Sequence, residues 1–186
     1  MRSMRWGTLV FALLLCGAAS AGEMVGVSLP DRMTAEGKSL VLNGMGLRKA
    51  YAVAKVYVAG LYLEKKSASP DEILGSTSVR KIVLHFVRDV SREQITGAWT
   101  EGFEKNAGAA LPVLRRRIDA LNAVMPDLAA GDVLSFTTVP GKGVLVEVRG
   151  KTAATIEGDD FAKALLSIWL GAAPPNAALK DGLLGL

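Results

Sequence analysis

The sequence predicts an α+β domain in which a largely antiparallel sheet is covered on one side by helices. Three observations carry this. Several short segments alternate apolar and polar residues with period two, the pattern of strands on a packed sheet. Other segments show helical apolar spacing behind recognisable helix starts. The elements run as strands, then helices, then three turn-linked strands, then helices again. That order suits a meander with segregated helices rather than alternating β-α-β units.

The chain opens on Met1-Arg2-Ser3-Met4-Arg5-Trp6-Gly7, passes through an apolar run from Thr8 to Cys16 and reaches Gly17-Ala18-Ala19-Ser20-Ala21. A basic start, a short apolar run and a small-residue end are the three parts of a secretory signal. Residues 1–21 are therefore expected to be cleaved after Ala21, leaving one domain over 22–186. The run is shorter than the roughly 20 apolar residues of a spanning helix. Leu15 is not the small residue that would precede a lipidated cysteine at Cys16. Cleavage removes Cys16, the single cysteine, and with it any disulfide or thiolate metal site. It also removes Arg2 and Arg5, taking the formal net charge from +4 to +2. Near neutrality argues against nucleic acid, whose binding rests on many phosphate contacts. No later apolar run approaches spanning length, so the expected product is a soluble periplasmic domain.

The first strand expected is Val25 to Leu29. Leu40 to Leu42 precedes Asn43-Gly44, a dipeptide that reads as a hairpin turn. Tyr51 to Leu63 reads as one long strand, and Val79 to Val87 as another with Ile82, Leu84 and Phe86 on one face. Ser69-Pro70-Asp71-Glu72 starts a short helix, with a capping serine, proline in the first turn and two acids at the positive end of the dipole. Ser91-Arg92-Glu93-Gln94 is a capping box. It opens a helix to about Asn106 whose apolar stripe is Ile95, Ala98, Trp99, Gly102 and Phe103. Pro112 to Val124 forms the next helix. Val133 to Thr138, Val144 to Val148 and Thr152 to Ile156 make the meander, punctuated by Pro140-Gly141-Lys142-Gly143 and Arg149-Gly150. Asp160 to Leu170 is a helix with Phe161, Ala164, Leu165, Ile168 and Trp169 on one face, and a last helix begins near Asn176.

The chemistry is bounded first by what is missing. His85 is the single histidine, it sits mid-strand, and no G-x-S-x-G elbow exists to pair with it. It reads as packing beside the sheet. No histidine–acid grouping has metal-ligand spacing, and Gly44-Met45-Gly46 lacks the third glycine and helix of a dinucleotide site. Arg115-Arg116-Arg117 reads as the solvated face of its helix. No cofactor is expected.

The strand from Tyr51 to Leu63 is apolar on both faces, so both need cover, by protein or by ligand. Ala59 and Gly60 leave room beside it. Arg48, at the turn expected to lead into this strand, has the fork geometry to grip a carboxylate, and Tyr57 has a hydroxyl on a ring that can line an apolar channel. The residues alone leave two readings open: a carboxylate pocket, or a surface arginine beside a core tyrosine. The same holds for Trp99, Phe103 and Trp169 as core or pocket wall, and for Asn106 as a helix-end cap. Lys55 shares Tyr57's face in a straight strand and turns outward if a bulge intervenes.

At these residues the sequence resembles the chalcone isomerase-like superfamily, in its bacterial branch. The resemblance rests on Leu42-Asn43-Gly44-Met45-Gly46-Leu47-Arg48, Lys55-Val56-Tyr57-Val58-Ala59-Gly60-Leu61-Tyr62-Leu63 and Val83-Leu84-His85-Phe86-Val87-Arg88-Asp89-Val90. It continues in Trp99-Thr100-Glu101-Gly102-Phe103-Glu104-Lys105-Asn106 and Leu166-Ser167-Ile168-Trp169-Leu170-Gly171, so that it spans roughly 27 to 182. It implies an open-faced β-sandwich, a large antiparallel sheet under a layer of helices with a ligand cleft between them. Plant chalcone isomerases of this superfamily close a flavanone ring, and related plastid proteins bind fatty acids without such chemistry. The plant enzymes' pocket arginine matches Arg48 and their asparagine matches Asn106. Their strand threonine falls at Tyr57, their helix tyrosine at Trp99 and their C-terminal hydroxyl residue at Ile168, with Ser167 beside it. The hydroxyl network of the enzymes is thus largely replaced, and Trp99 has no phenol to support an oxyanion. Arg48 with Tyr57 resembles the fatty-acid-binding members, in which both groups hold the carboxylate, with Asn106 and the Trp99 and Ile168 region completing the pocket.

Three readings follow. The first is a periplasmic, non-catalytic protein that binds a fatty acid or similar apolar carboxylate. The second is an isomerase or intramolecular lyase acting on an enone-type substrate, with Arg48 as electrophile. The third is a structural or interaction domain whose cleft is closed by large side chains around Arg48. The sequence names no protein partner.

Overall fold

The computed structural model describes residues 20–186 apart from Ala52, with side chains from Gly22 onward. Most of the expected signal segment, residues 1–19, lies outside the described residues. Two strands, β1 (Ser20–Met24) and β2 (Val27–Pro30), form a ribbon of their own. The expected cleavage point after Ala21 falls within β1. Seven more strands form one antiparallel sheet in sequential order: β3 (Arg32–Ala35), β4 (Lys38–Ala50), β5 (Ala54–Leu63), β6 (Arg80–Phe86), β7 (Val133–Val139), β8 (Gly143–Val148) and β9 (Lys151–Glu157). Every strand pairs with its sequence neighbour, and the helices are inserted in the connections or follow the last strand. The architecture is α+β, an open-faced sandwich of a curled sheet and helices.

The period-two strand β5 explains the layering. Tyr57, Ala59, Leu61 and Leu63 on one face join the main core under the helices. Val58 and Tyr62 on the other join a second cluster closed by Val27 and Leu29 of the β1–β2 ribbon. Gly60 admits that ribbon, since a Cβ there would lie 2.4 Å from Leu29 Cδ1. Strand β1 and strand β3 were not foreseen from periodicity. Their turns carry the signal instead: Val25-Gly26 and Glu36-Gly37, like Arg149-Gly150 between β8 and β9, each place both residues at positive φ, the two-residue turn that matches strand twist.

Asn43-Gly44 makes no turn, which corrects the sequence expectation. It lies inside β4, where the register with β5 shifts between Leu42 and Gly44. The Asn43 amide donates to Ser67 O at 3.0 Å and Leu183 O at 2.8 Å, and accepts from Ser67 N at 2.9 Å. Gly44 is needed because a Cβ would meet Gly182 O at 2.1 Å. Strand β5 begins at Ala54 rather than Tyr51, and Arg48 belongs to β4 rather than to a turn.

The helices are α1 (Pro70–Gly75), α2 (Arg92–Asn106), α3 (Leu111–Ala123), α4 (Asp159–Leu170) and α5 (Ala177–Leu184). Ser91 caps α2 as expected, accepting from Gln94 N while Gln94 Oε1 accepts from Ser91 N at 3.0 Å. Helix α4 is buried from Phe161 to Leu170 except at Lys163, packed between α2 and strands β7 to β9. Helix α5 closes on β4 and β5. Among the described residues no helix is long and apolar enough to cross a membrane.

Candidate cleft between the sheet and the helix layer

Where α2 passes over the ends of β4, β5 and β6, the helix layer leaves a cleft of about 540 Å³. That lies within the usual range for small-molecule sites, about 300–1,000 Å³. Its walls are largely apolar, with Val56, Phe86, Val90, Ile95, Trp99 and Ile168 among them.

The polar pair in the cleft follows from strand register. Arg48 and Tyr57 are direct cross-strand partners in β4 and β5, so their side chains leave the sheet on one face. Beyond them the register slips: Lys49 pairs with Lys55, leaving Val56 as an extra residue on β5. This bulge turns Val56 into the cleft and leaves Lys55 exposed, which decides the orientation that periodicity left open.

Arg48 is half-buried and donates to the carbonyl of Lys49. Among the described residues its guanidinium forms no ion pair. The Tyr57 hydroxyl accepts a hydrogen bond from Trp169 Nε1 at 2.9 Å. Burial pushes its phenol up to about 12, against smaller opposing effects of the Trp169 bond and the Arg48 charge. Tyr57 is therefore neutral at physiological pH and keeps its own proton to donate. The cleft thus offers a fixed cation and a neutral hydroxyl beside apolar walls.

Trp99 is 2 % exposed and forms part of both wall and core. Its ring meets Trp169 edge-on at 5.4 Å and Phe136 at 5.9 Å, and its Nε1 is buried with no hydrogen-bond partner among the described residues. Ile168 of α4 reaches the cleft past Gly102 of α2, where a Cβ would lie 2.8 Å from Ile168 Cγ2. The helix-helix approach thus depends on that glycine.

Asn106 stands outside the cleft lining. Its amide nitrogen donates to Gly102 O and Ala173 O, and its amide oxygen accepts from Ala173 N, all at 3.0 Å. With donors and acceptor engaged, it ties the end of α2 to the segment after α4, whose Ala173, Pro174 and Pro175 form one rim of the cleft. Phe103 stacks on Phe161 at 5.6 Å in the core, and Ser167 bonds back to Lys163 O. His85 pairs with Val58 and Val133, on the face away from the helices.

Sequence reasoning did not find Val56, Arg88, Glu93, Glu101 or Lys105 as residues around the cleft. The i,i+4 spacing of Glu101 and Lys105 was the available signal. Their ion pair, 2.5 Å long, stands at the mouth. The Lys105 hydrogen bond, more than the charges of Lys105 and Arg48, holds the Glu101 carboxyl below its ordinary range.

Comparison with known proteins adds to this geometry. A search of curated proteins finds no match. Among solved structures, the crystal structure of an Arabidopsis thaliana fatty-acid binding protein superposes with a TM-score of 0.68 at 16 % identity, covering 86 % of this chain and 92 % of that one. Likeness at that identity is a likeness of fold. Residues 21–185 match the family described as chalcone isomerase-like, and the chain belongs to that family.

Proposed function

We propose that the protein is a periplasmic, non-catalytic carrier of a fatty acid or similar apolar carboxylate. One observation carries this reading: Arg48 and Tyr57 face each other across β4 and β5 in a cleft that Val56, Phe86, Val90, Ile95, Trp99 and Ile168 also line. A carboxylate there would take charge-assisted hydrogen bonds from the guanidinium and one from the neutral phenol. An acyl chain would run along Val56, Phe86, Ile95, Trp99 and Ile168. Each buried methylene contributes about 0.8 kcal/mol, so the chain supplies affinity and the arginine selects the acid. The fatty-acid binding protein of the same fold supports the ligand class. The open volume beside Arg48 supports a ligand site over a closed domain. The non-catalytic reading is supported by Trp99 at the position of the plant enzymes' helix tyrosine. The periplasmic reading is supported by the signal-like run of residues 1–21.

Native mass spectrometry of the purified protein, repeated with Arg48→Ala, tests the proposal. A fatty acid that co-purifies with the wild type is expected to be lost from the variant. A wild type that carries none and takes up none when it is added would refute the carrier reading.

A further inference from the structure

The β4–β5 connection is the most conspicuous feature outside the cleft interior. Its sequence is Lys49-Ala50-Tyr51-Ala52-Val53-Ala54-Lys55, an apolar run between two lysines. Tyr51 is 95 % exposed and Val53 79 %, the highest values among the large apolar side chains described. Tyr51 also sits at φ 50°, a left-handed conformation that a bulky residue seldom adopts and that glycine or asparagine would take more easily. Folding alone gives no reason for a tyrosine at this place.

The flanking charges point the same way. Lys49 and Lys55 are direct cross-strand partners at the base of the tip, an arrangement of like charges that is unfavourable in water. Arg48 adjoins them in sequence, and Arg88 and Lys105 stand on the same side of the molecule, around the cleft mouth. Two acids stand at that mouth: Glu101 cancels Lys105 in an ion pair and Glu93 offsets one more charge, so the cations Arg48, Lys49, Lys55 and Arg88 remain in excess. The result is an apolar, tyrosine-bearing tip within a positive collar.

We propose that this tip docks the protein on an anionic lipid bilayer and so sets the cleft mouth against the membrane. Tyrosine suits the headgroup zone, where its ring meets hydrocarbon and its hydroxyl meets water. The collar is attracted to anionic headgroups, which also relieve the Lys49–Lys55 repulsion. A protein partner fits less well: two projecting side chains do not form the interface of 1,000 Å² or more that a specific complex needs, while a bilayer accepts a narrow wedge. Tyr51 lines the mouth of the cleft as well as the tip, so a docked molecule would present its entrance to the lipid. The docking stands apart from the ligand assignment; its use for loading or releasing an apolar acid rests on the proposed function.

Sedimentation with vesicles tests this. The wild type is expected to pellet with phosphatidylglycerol-rich vesicles and not with pure phosphatidylcholine vesicles, with binding weakened by salt. Lys55→Gln should lower the partition about fivefold, the contribution of one basic side chain near an anionic surface, and Val53→Asp should lower it at least as much. All three proteins share one N-terminus, so the differences report the tip. Fatty-acid uptake by both variants, followed by native mass spectrometry, is expected to match the wild type. Variants that pellet as well as the wild type, or pelleting that ignores vesicle charge, would overturn the proposal. So would a wild type that stays in solution, which would leave an acidic protein as the partner. Pelleting without acid uptake would instead refute the carrier reading and leave the docking intact.

Discussion

The Tyr57 hydroxyl accepts the only hydrogen bond made by Trp169 Nε1 among the described residues. Tyr57→Phe leaves that buried N–H without an acceptor, so a loss of about 1–3 kcal/mol in unfolding free energy is expected, measurable by urea denaturation. The same hydroxyl makes stability depend on alkaline pH. Burial raises its pKa to about 12, whereas the unfolded chain releases the proton near 10. Between those values the unfolded state binds fewer protons, so stability is complete below about pH 10 and declines toward pH 12, by about 2–3 kcal/mol for this group. Tyr62 is also raised to about 12, first by burial and then by the Asp31 charge, and adds to the decline. Denaturation midpoints across that range check this; a profile no steeper in the wild type than in Tyr57→Phe would contradict it. Arg48 and Tyr57 were each legible in the sequence as candidates. The resemblance set both at one carboxylate, but periodicity alone did not show them facing one another, because Val56 bulges out of register and a pattern of strict alternation does not register one extra residue.

The strands from β5 to β9 and all five helices lie close to the segments marked by periodicity and caps, because those signals are local. Asn43-Gly44 shows the limit of local signals. A tolerance for positive φ permits a turn but does not demand one; here the glycine serves the close approach of α5, which is remote in sequence. Two substitutions of the same kind should therefore have opposite effects. Gly44→Ala drives a methyl to 2.1 Å from Gly182 O and 2.8 Å from Gly185 N. These are backbone atoms, so a loss of about 3 kcal/mol is expected, or about 6–12 °C in Tm. Gly97→Ala, in the middle of α2 with nothing within 4 Å of its new methyl, should gain about 0.5–1 kcal/mol from helix propensity. Thermal denaturation of the two variants gives the sign directly.

Over the whole molecule, the two-sided apolar strand β5 signalled that the sheet must be covered twice, but not by what. One cover is the helix layer and the other the β1–β2 ribbon, and the candidate cleft lies under the first. If an acid occupies it, ligand and folding are linked. At a hundred times its Kd the ligand should add about 2.7 kcal/mol, a rise of about 5–11 °C in Tm that Arg48→Ala abolishes; differential scanning calorimetry with and without fatty acid checks this. The aromatic floor beneath the cleft has a further consequence. Of the three tryptophans in the sequence, Trp6 lies in the signal-like segment, and the other two stand 5.4 Å apart. Chromophores that close share their excited states, so they absorb and emit as a pair whose signature depends on mutual orientation. Trp99 also forms part of the cleft wall. Whatever displaces that ring would retune the pair, giving the protein a built-in optical gauge of whether its cleft is full.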